Sequence, residues 1–594
     1  MNRVSSSMLL LVCGLLVAVT SKAEQKLTKP AAAKVEFQWG VKIPMRDGVH
    51  LNATAYTPKG QTGPAPCLFT LTPYISETYH DRGMYFASHG LPFLTVDVRG
   101  RGNSEGSFRP LIQEARDGYD VVEWLAKQPY CNGKVATWGG SYAGYDQWAL
   151  AKERPPSLAT IVPVASVYPG LDFPMRNNIA YPYAMQWLAL TAGRASQQKL
   201  FDDESFWSAL SRDWFESGRP LAEFDTLLGQ PSPIFQEWLR HPYRDEYWDA
   251  HVPTAEQYRN MQLPILTITG SYDADQPGAL EFYSQHMRHA TPEARARHYL
   301  IIGPWNHSGT RTPQAQFGGL TFAEASLVDL PKLHLEWYAW TMQGGPKPEF
   351  LKAPVAYYVM GAEQWRYAPS LQAITAESHA MSLDSNHNAT DVLASGSLLR
   401  DRVARGKPDS YIYDPRDISS AEADSAPSSV GGLVDQRQVH ANRGKQLVYH
   451  TEPFAESVQI SGFFKLSAWI AIDRPDTDFT VAVSEIKIDG SSIHLSDASM
   501  RARYRESVRE PKLIDTRAPL RYDFSDFSFV SRQLQRGSRL RLVIAPSNSM
   551  HSQKNYNSGG VVALESMRDA QPVTVTLYHD RTRPSTLYVP MGQP

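Results

Sequence analysis

The sequence has little of several features that would place it in a specialised class of protein. Three cysteines in 594 residues are too few for a fold built on a disulfide framework. The 59 basic and 61 acidic side chains nearly cancel, and this balance argues against nucleic acid or an anionic membrane surface as a partner. Beyond the N-terminus no apolar run reaches the length of a membrane span, so no transmembrane segment is predicted there.

The one long apolar run is N-terminal, from Met8 to Val19, and it follows a basic Arg3. Small residues at Ser21 and Ala23 come after it, a pattern typical of a secretory signal peptide over residues 1–23 that is cut after Ala23. We therefore expect the mature protein to be secreted or periplasmic.

Two cysteines, Cys67 and Cys131, remain once Cys13 is removed with the signal peptide. An oxidising compartment would allow one disulfide between them. Two buried free thiols fit the sequence at least as well.

Neither a nucleotide nor a metal site is predicted, and no cofactor is expected. The glycines of Asp97–Gly106 lack a following helix with dinucleotide spacing and a Gly-Lys-Ser/Thr motif, so this segment is interpreted as a structural turn held by an Asp97–Arg99 pair. His286 and His289 share one face of a predicted helix without a His-Glu-x-x-His motif or paired cysteines. We expect both histidines at the surface.

What the chain does contain is an alternation of apolar strands and helix-like segments. Residues 35–56 show the pattern of a β-hairpin with Asp47-Gly48 at its turn. Cys67–Leu71 and Phe93–Val98 are nearly continuous apolar strands with a helical segment between them. Strands without polar alternation, separated by helices, indicate the α/β class with a parallel sheet covered on both faces.

A further strand, Lys134–Trp138, leads into Gly139-Gly140-Ser141-Tyr142-Ala143-Gly144 and then a helix-like stretch. A serine on a tight strand-to-helix turn flanked by glycines is typical of a nucleophile elbow, although the last glycine of the usual Gly-x-Ser-x-Gly pattern comes one residue late. The sequence predicts Ser141 as a nucleophile, with the backbone N–H of Tyr142 as an oxyanion donor. A simple helix N-cap is the alternative.

Two more residues with suitable chemistry follow later strands. Asp273 comes after the strand Leu263–Thr269, and His307 comes after His298–Ile302. The order Ser, Asp, His is the one used by triads built on strand ends. Because parallel strands end at one edge of a sheet, we expect Ser141, Asp273 and His307 to converge there.

Two regions depart from the alternating pattern. Residues 166–252 are rich in aromatic residues at helical spacing and are broken by prolines, which predicts short helices inserted as a cap over the active edge of the sheet. After about residue 350, short strands joined by turn residues predict a β-sandwich that begins with Val355–Val359.

Taken together, these motifs resemble the family of cocaine esterase, X-prolyl dipeptidyl aminopeptidase and α-amino-acid ester hydrolase. The resemblance implies an α/β-hydrolase core over residues 35–165 and 253–349, a helical cap over 166–252 and a C-terminal jelly roll over 350–594. The matching segments are Thr72-Pro73-Tyr74, Asp97–Gly106, Gly139–Gly144, Gly270-x-Tyr272-Asp273, Gly303-Pro304-Trp305-x-His307, His241-Pro242-Tyr243 and Asp476-Thr477-Asp478-Phe479.

The same resemblance implies roles for two more side chains and accounts for the late Gly144. The phenol of Tyr74 becomes the second oxyanion donor. Asp275 lies in a loop where the amino-ester hydrolases carry extra carboxylates that hold a substrate ammonium. Since Gln276 leaves such a cluster incomplete, Asp275 is interpreted as a solvated loop acid, with amine binding as the alternative.

The sequence thus predicts a secreted serine hydrolase that cleaves ester or amide bonds of a small-molecule substrate through an acyl-enzyme intermediate. One alternative is α-amino-acid ester hydrolase, acyltransferase or X-prolyl dipeptidyl-peptidase-like activity. An alternative of another class is a non-catalytic carbohydrate- or ligand-binding protein that uses the jelly roll.

Overall fold

The computed structural model describes residues 34–374, 377–386, 389–400, 406–424 and 432–591. The predicted signal peptide lies outside these residues. None of the helices within them combines the length and the apolar character that crossing a bilayer requires.

The first part of the chain forms one half of a mixed sheet with helices on its faces. Its strands are ordered β1-β2-β4-β3-β5-β7, with β3 parallel to both β4 and β5. The predicted hairpin is confirmed, since β1 and β2 pair antiparallel around the Asp47-Gly48 turn. The elements are β1 Val35–Pro44, β2 His50–Pro58, β3 Ala65–Thr72, α1 His80–Ser88, β4 Phe93–Asp97, α2 Glu114–Leu125, β5 Cys131–Thr137, β6 Gly139–Gly140, α3 Tyr142–Ala151, β7 Leu158–Thr160 and β8 Pro163–Val164.

Short helices then follow over the sheet. Asp203 caps the longest of them by accepting a hydrogen bond from the backbone of Phe206, and Gly218 ends it in the left-handed conformation. Buried cap aromatics such as Trp214 and Phe235 belong to the same core as Trp148 of α3, so the cap packs directly on the sheet domain. The elements are β9 Met175–Arg176, β10 Ile179–Ala180, α4 Tyr183–Leu190, α5 Gln198–Phe201, α6 Glu204–Ser217, α7 Phe224–Leu227, α8 Pro233–Leu239, α9 Glu246–Asp249 and α10 Ala255–Asn260.

The second half of the sheet continues the first in the order β6-β8-β11-β12-β15-β16. β11 is parallel to β8 and β12, and an Ile161–Ile265 bridge also links the halves. The elements are β11 Ile265–Tyr272, α11 Gln276–His289, α12 Pro292–Arg295, β12 His298–Asn306, β13 Gln316–Phe317, β14 Leu320–Thr321, α13 Leu330–Gln343, β15 Val355–Val359, β16 Gln364–Ala368 and α14 Leu371–Ile374.

One predicted assignment is wrong at this boundary. Val355–Val359, which is β15, pairs parallel with β12, and β16 pairs antiparallel with β15. Both strands therefore extend the first sheet and do not begin the sandwich. A run of apolar residues predicts a strand, but it does not say which sheet the strand joins.

The remaining strands form a separate β-rich domain. Their burial alternates, as in β28, where Val573, Val575 and Leu577 are buried, because successive side chains of a strand face opposite sides. The large sheet has the order β19-β28-β22-β29-β17-β18-β20-β27-β23-β24. The elements are β17 His379–Asp384, β18 Gly396–Arg400, β19 Asp409–Tyr413, α15 Ala421–Asp424, α16 Arg437–Ala441, β20 Leu447–His450, β21 Val458–Gly462, β22 Lys465–Ile472, β23 Asp478–Ile486, β24 Ser492–Arg501, β25 Leu520–Phe524, β26 Val530–Leu534, β27 Arg539–Pro546, β28 Val573–Tyr578 and β29 Thr586–Val589.

The Asp476–Phe479 motif has a structural explanation in this domain. Asp478 forms a bidentate ion pair with Arg501, and both side chains are 2% exposed. Asp476 accepts hydrogen bonds from Nε and from the backbone N–H of Arg503. Arg501 also donates to the backbone carbonyl of Asn178, which ties the β-rich domain to the cap.

Three smaller expectations can be compared with the structure. Cys67 and Cys131 are buried free thiols. Arg99 does not pair with Asp97, because its guanidinium lies against Asp47 and Asp117.

The surface position predicted for His286 is also wrong. Its side chain is fully buried, and its ring nitrogen lies 3.0 Å from that of His298.

Candidate active site

Ser141 occupies the turn between β6 and α3 in a strained conformation. Its φ of 63° and ψ of −125° are sparsely populated for a residue with a side chain. The turn is tight on its far side as well, because a Cβ on Gly144 would lie 2.6 Å from the carbonyl oxygen of Val164 and 2.7 Å from Oγ of Ser166. The late glycine is therefore a packing requirement at this position.

His307 and Asp273 meet at the ends of two adjacent parallel strands. Nδ1 of His307, just past β12, lies 2.8 Å from Oδ1 of Asp273, just past β11. The Asp273 side chain has no solvent exposure, and its other oxygen accepts a hydrogen bond from Thr269. Because the carboxylate holds Nδ1, the ring presents Nε2 as the free nitrogen.

Ser141 and His307 line the same cavity of about 530 Å³. The sheet domain contributes the polar groups of its wall, and the cap contributes apolar and aromatic ones. Its lining is Tyr74, Ser141, Tyr142, Val167, Phe173, Tyr183, Trp187, Ala274, Asp275 and His307.

Tyr74 lies just beyond β3 with its hydroxyl at the nucleophile. The Ser141 side chain lies near enough to the phenol to lower its pKa, and the indole Nε1–H of Trp187 donates to Oη at 3.0 Å. Burial raises the pKa of Tyr74 well above its usual value, so the phenol keeps its proton and remains a donor.

Tyr142 is the first residue of α3, where backbone N–H groups have no intrahelical acceptor. Its ring is buried and stacks on Trp187, with centroids 5.3 Å apart. Its hydroxyl donates to Glu114 at 2.5 Å and accepts from the backbone N–H of Leu111 at 2.6 Å. These contacts hold the start of the helix, and hence the Tyr142 N–H, beside Ser141.

Asp275 is not a solvated loop acid, so that interpretation is wrong. Its side chain is 15% exposed, lines the cavity, and places Oδ2 3.4 Å from Nδ1 of His307. Burial raises the pKa of Asp275 well above its usual value, while His307 opposes the rise and the nearby carboxylates of Asp172 and Asp273 add to it. Gln276, the next residue, is buried and donates to the backbone carbonyls of Gly270 and Phe529.

Within the described ranges, one group could gather around a metal ion, namely Asp273, Asp275 and His307. Asp273 and His307 are also the partners of the carboxylate–imidazole hydrogen bond, and Asp275 lies against the same ring nitrogen. That bond accounts for the clustering without a metal.

Sequence reasoning did not single out the cap residues that shape this cavity. Phe173 and Trp187 lie in the aromatic-rich segment 166–252, whose helical spacing predicts a cap but does not show which of its side chains line a cavity. Asp172 was missed as well. Its carboxyl group accepts from the backbone N–H groups of Tyr168 and Gly278 and raises the pKa of Asp275.

Comparison with known proteins agrees with the fold. Residues 47–309 match the X-Pro dipeptidyl-peptidase (S15 family) model, and residues 350–588 match the X-Pro dipeptidyl-peptidase C-terminal non-catalytic domain. A cocaine esterase from Rhodococcus sp. (strain MB1 Bresler) is 27% identical over 93% of this chain and 98% of its own.

Two solved structures share the overall architecture. An α-amino acid ester hydrolase aligns with a TM-score of 0.80 and 22% identity, over 97% of this chain and all of its own. An aminopeptidase from a Thaumarchaeota archaeon aligns with a TM-score of 0.78 and 21% identity, over 96% and 99%. The predicted fold class is thereby confirmed as an α/β-hydrolase domain followed by a β-rich domain.

An α/β-hydrolase domain with these matches along both parts of the chain defines a serine hydrolase. The chain belongs to the family of cocaine esterase and the X-Pro dipeptidyl-peptidases. It is an enzyme, which rules out the non-catalytic binding protein considered from the sequence.

Proposed function

We propose that this protein is an exported serine esterase that cleaves carboxylic esters of small molecules through an acyl-enzyme on Ser141. The observation that supports the proposal is one cavity lined both by a strained serine and by a histidine whose Nδ1 is held by a buried aspartate. Export follows from the predicted signal peptide alone, and a mature N-terminus at Glu24, read by intact mass after secretion, is the expected result.

In the proposed reaction, Oγ of Ser141 attacks the substrate carbonyl while Nε2 of His307 takes its proton. Asp273 keeps the imidazole in the required tautomer and stabilises the imidazolium that forms. The C–O bond to the alcohol then breaks as His307 returns the proton to the leaving oxygen. A water molecule, activated by the same histidine, hydrolyses the acyl-enzyme and restores Ser141.

Charge develops on the carbonyl oxygen in both steps, and the proposal assigns two donors to it. One is the Tyr74 hydroxyl, which contacts Ser141 and keeps its proton. The other is the Tyr142 N–H at the start of α3, where the helix dipole also favours negative charge. Such a donor is worth about 3 kcal/mol in the transition state.

A fluorophosphonate probe tests the proposal. The wild type should gain one adduct by intact mass and lose hydrolysis of p-nitrophenyl butyrate, whereas Ser141→Ala should gain none. Ser88→Ala, which removes a hydroxyl on α1 outside the cavity, should label as the wild type does. Labelling of Ser141→Ala, or an unlabelled wild type, would refute the nucleophile assignment.

A second candidate, hydrolysis or transfer of amino-acid esters or of an aminoacyl-prolyl group, has one observation in its favour. The Asp275 carboxylate faces the substrate cavity and could pair with a substrate ammonium. The matched substrates are phenylalanine methyl ester and methyl 3-phenylpropanoate, which differ only in the amine.

Under this candidate the wild type prefers the amino ester, and Asp275→Asn removes that preference while leaving hydrolysis of the other ester nearly unchanged. An acyltransferase would also form amide when an amine nucleophile is added. Equal kcat/KM for the two esters in both proteins would leave the simple esterase as the function.

A further inference from the structure

The substrate cavity has a second, narrow cavity behind its cap wall. Phe173 and Tyr183 line the substrate cavity. The residues that follow them in the chain, Pro174 and Ala184, line the second cavity. Neighbouring residues that face opposite cavities make these two segments a partition one residue thick. The second cavity is narrow: a water-sized sphere finds about 20 Å³ in it, which is room for about one water molecule.

The second cavity is almost entirely apolar. Met175, Phe235 and Trp238 are among its walls, and its polar side chains, Asn178 and Gln553, already bond to protein groups. Nδ2 of Asn178 donates to the Val508 carbonyl at 2.7 Å, and Oε1 of Gln553 accepts from Arg501 at 3.0 Å. A space of this kind favours hydrocarbon over water.

The ring of Phe173 closes the partition. Its centroid is 5.2 Å from that of Trp187, a wall of the substrate cavity, and 5.4 Å from that of Trp238, a wall of the narrow cavity. The side chain is itself 5% exposed. Removing the ring would therefore join the two spaces.

The position of Phe173 relative to the proposed machinery decides which part of a substrate it meets. Trp187, its neighbour, bonds to Tyr74 and stacks on Tyr142, the two proposed oxyanion donors. The leaving alcohol must lie beside His307, from which it receives its proton. The substrate group that extends toward Phe173 is then the acyl chain.

We infer that Phe173 sets the length limit of the acyl group and that the narrow cavity behind it is a latent extension of the acyl pocket. This inference rests on the proposed esterase function. Each additional methylene of the acyl chain that becomes buried strengthens binding of the transition state about fourfold.

The test compares the wild type with Phe173→Ala on p-nitrophenyl esters from acetate to decanoate. The wild type should reach its highest kcat/KM on a short acyl chain. In Phe173→Ala the optimum should move by two or more carbons, with the decanoate-to-butyrate ratio of kcat/KM raised about tenfold or more. Phe173→Leu should fall between the two, and thermal melting checks that each variant is folded.

A double variant separates use of the narrow cavity from a general loosening of the cap. Ala184→Phe places a ring in that cavity from the helix α4, which is part of the partition, so adding it to Phe173→Ala should abolish the gain on long chains. An unchanged chain-length profile in folded Phe173→Ala would overturn the inference, as would a gain that Ala184→Phe leaves intact.

The last experiment measures kcat/KM on a series of acetate esters whose alcohols increase in length. A shift of alcohol preference in Phe173→Ala, in place of acyl preference, would contradict the assignment of the acyl side. A wild type that hydrolyses no ester would instead refute the proposed function, and the inference would fall with it.

Discussion

The indole N–H of Trp187 donates a 3.0 Å hydrogen bond to the phenolic oxygen of Tyr74. This bond joins a cap helix to the end of a central strand at the proposed oxyanion site. Since it occupies a lone pair of the phenol, it leaves the O–H free to point toward Ser141, which the phenol also contacts. The cap thus holds the proposed oxyanion donor in addition to forming a wall of the cavity.

Replacing Trp187 by Phe keeps an aromatic ring in the cavity wall and removes this donor. We expect kcat on p-nitrophenyl butyrate to fall about five- to tenfold, the value of a neutral hydrogen bond, with KM nearly unchanged. Trp207→Phe is the matched control, because it loses an indole bond to the Leu200 carbonyl elsewhere in the cap and should lose stability without loss of kcat. An effect of Trp187→Phe on KM alone would argue against a positioning role.

Gly144→Ala should inactivate the enzyme by displacing the nucleophile. The new methyl carbon would lie 2.6 Å from the Val164 carbonyl oxygen, and backbone cannot yield as a side chain would, so α3 must shift and carry Ser141 with it. A misplacement of about 1 Å costs about 100-fold in rate, and we expect a loss of that size in kcat/KM. Gly63→Ala, where a Cβ meets nothing within 4 Å, should behave as the wild type. Near-normal activity of Gly144→Ala would contradict the packing argument.

Glu114, which accepts the Tyr142 hydroxyl, makes stability depend on pH. Burial raises the pKa of Glu114 to about 7 from an ordinary 4.5, so the native state binds this proton more tightly than the unfolded chain does. Its contribution to stability is therefore complete below about pH 4.5 and is lost as pH rises through 7.

Glu114→Gln keeps an acceptor for Tyr142 and removes the titration. In urea unfolding measured from pH 5 to 8, the free energy of unfolding of the variant should improve steadily relative to the wild type as pH rises. A constant offset across that range would show that Glu114 does not titrate there.

The sequence predicted the features set by local pattern. Ser141, Asp273 and His307 each follow a strand, and neighbouring parallel strands end at one edge, which is why the last two could be expected close together. Their catalytic roles stay predictions. The part played by Phe173 and Trp187 was out of reach, because it depends on how separate cap segments fold over the sheet. Val355–Val359 joins a different sheet from the one predicted for a related reason, since its partner strand β12 is distant in sequence.

The buried position of His286 does have a signal in the sequence. His286 continues a stripe of Ala279, Phe282 and Tyr283 at helical spacing, and all four side chains are buried on one face of α11. This stripe predicts a place for His286 on the buried face of the helix, besides the metal site and the surface position considered from the sequence. Asp275 differs, because only the folded loop shows that its carboxylate turns into the cavity.

The buried pair of Asp478 and Arg501 should be among the most sensitive points of the β-rich domain. Asp478→Ala leaves a guanidinium that is 2% exposed without its bidentate partner, while Asp476 remains engaged by Arg503. Breaking such a pair from one side costs about 3–5 kcal/mol, and we expect a loss of that order in the free energy of unfolding. Asp523→Ala breaks a pair with Arg521 whose side chains are 54% and 58% exposed, so it should cost less than about 1 kcal/mol. Equal losses in the two variants would mean that burial does not govern the energy of the Asp478–Arg501 pair, and the link it makes from the β-rich domain to the cap through Asn178 would then carry little of the stability.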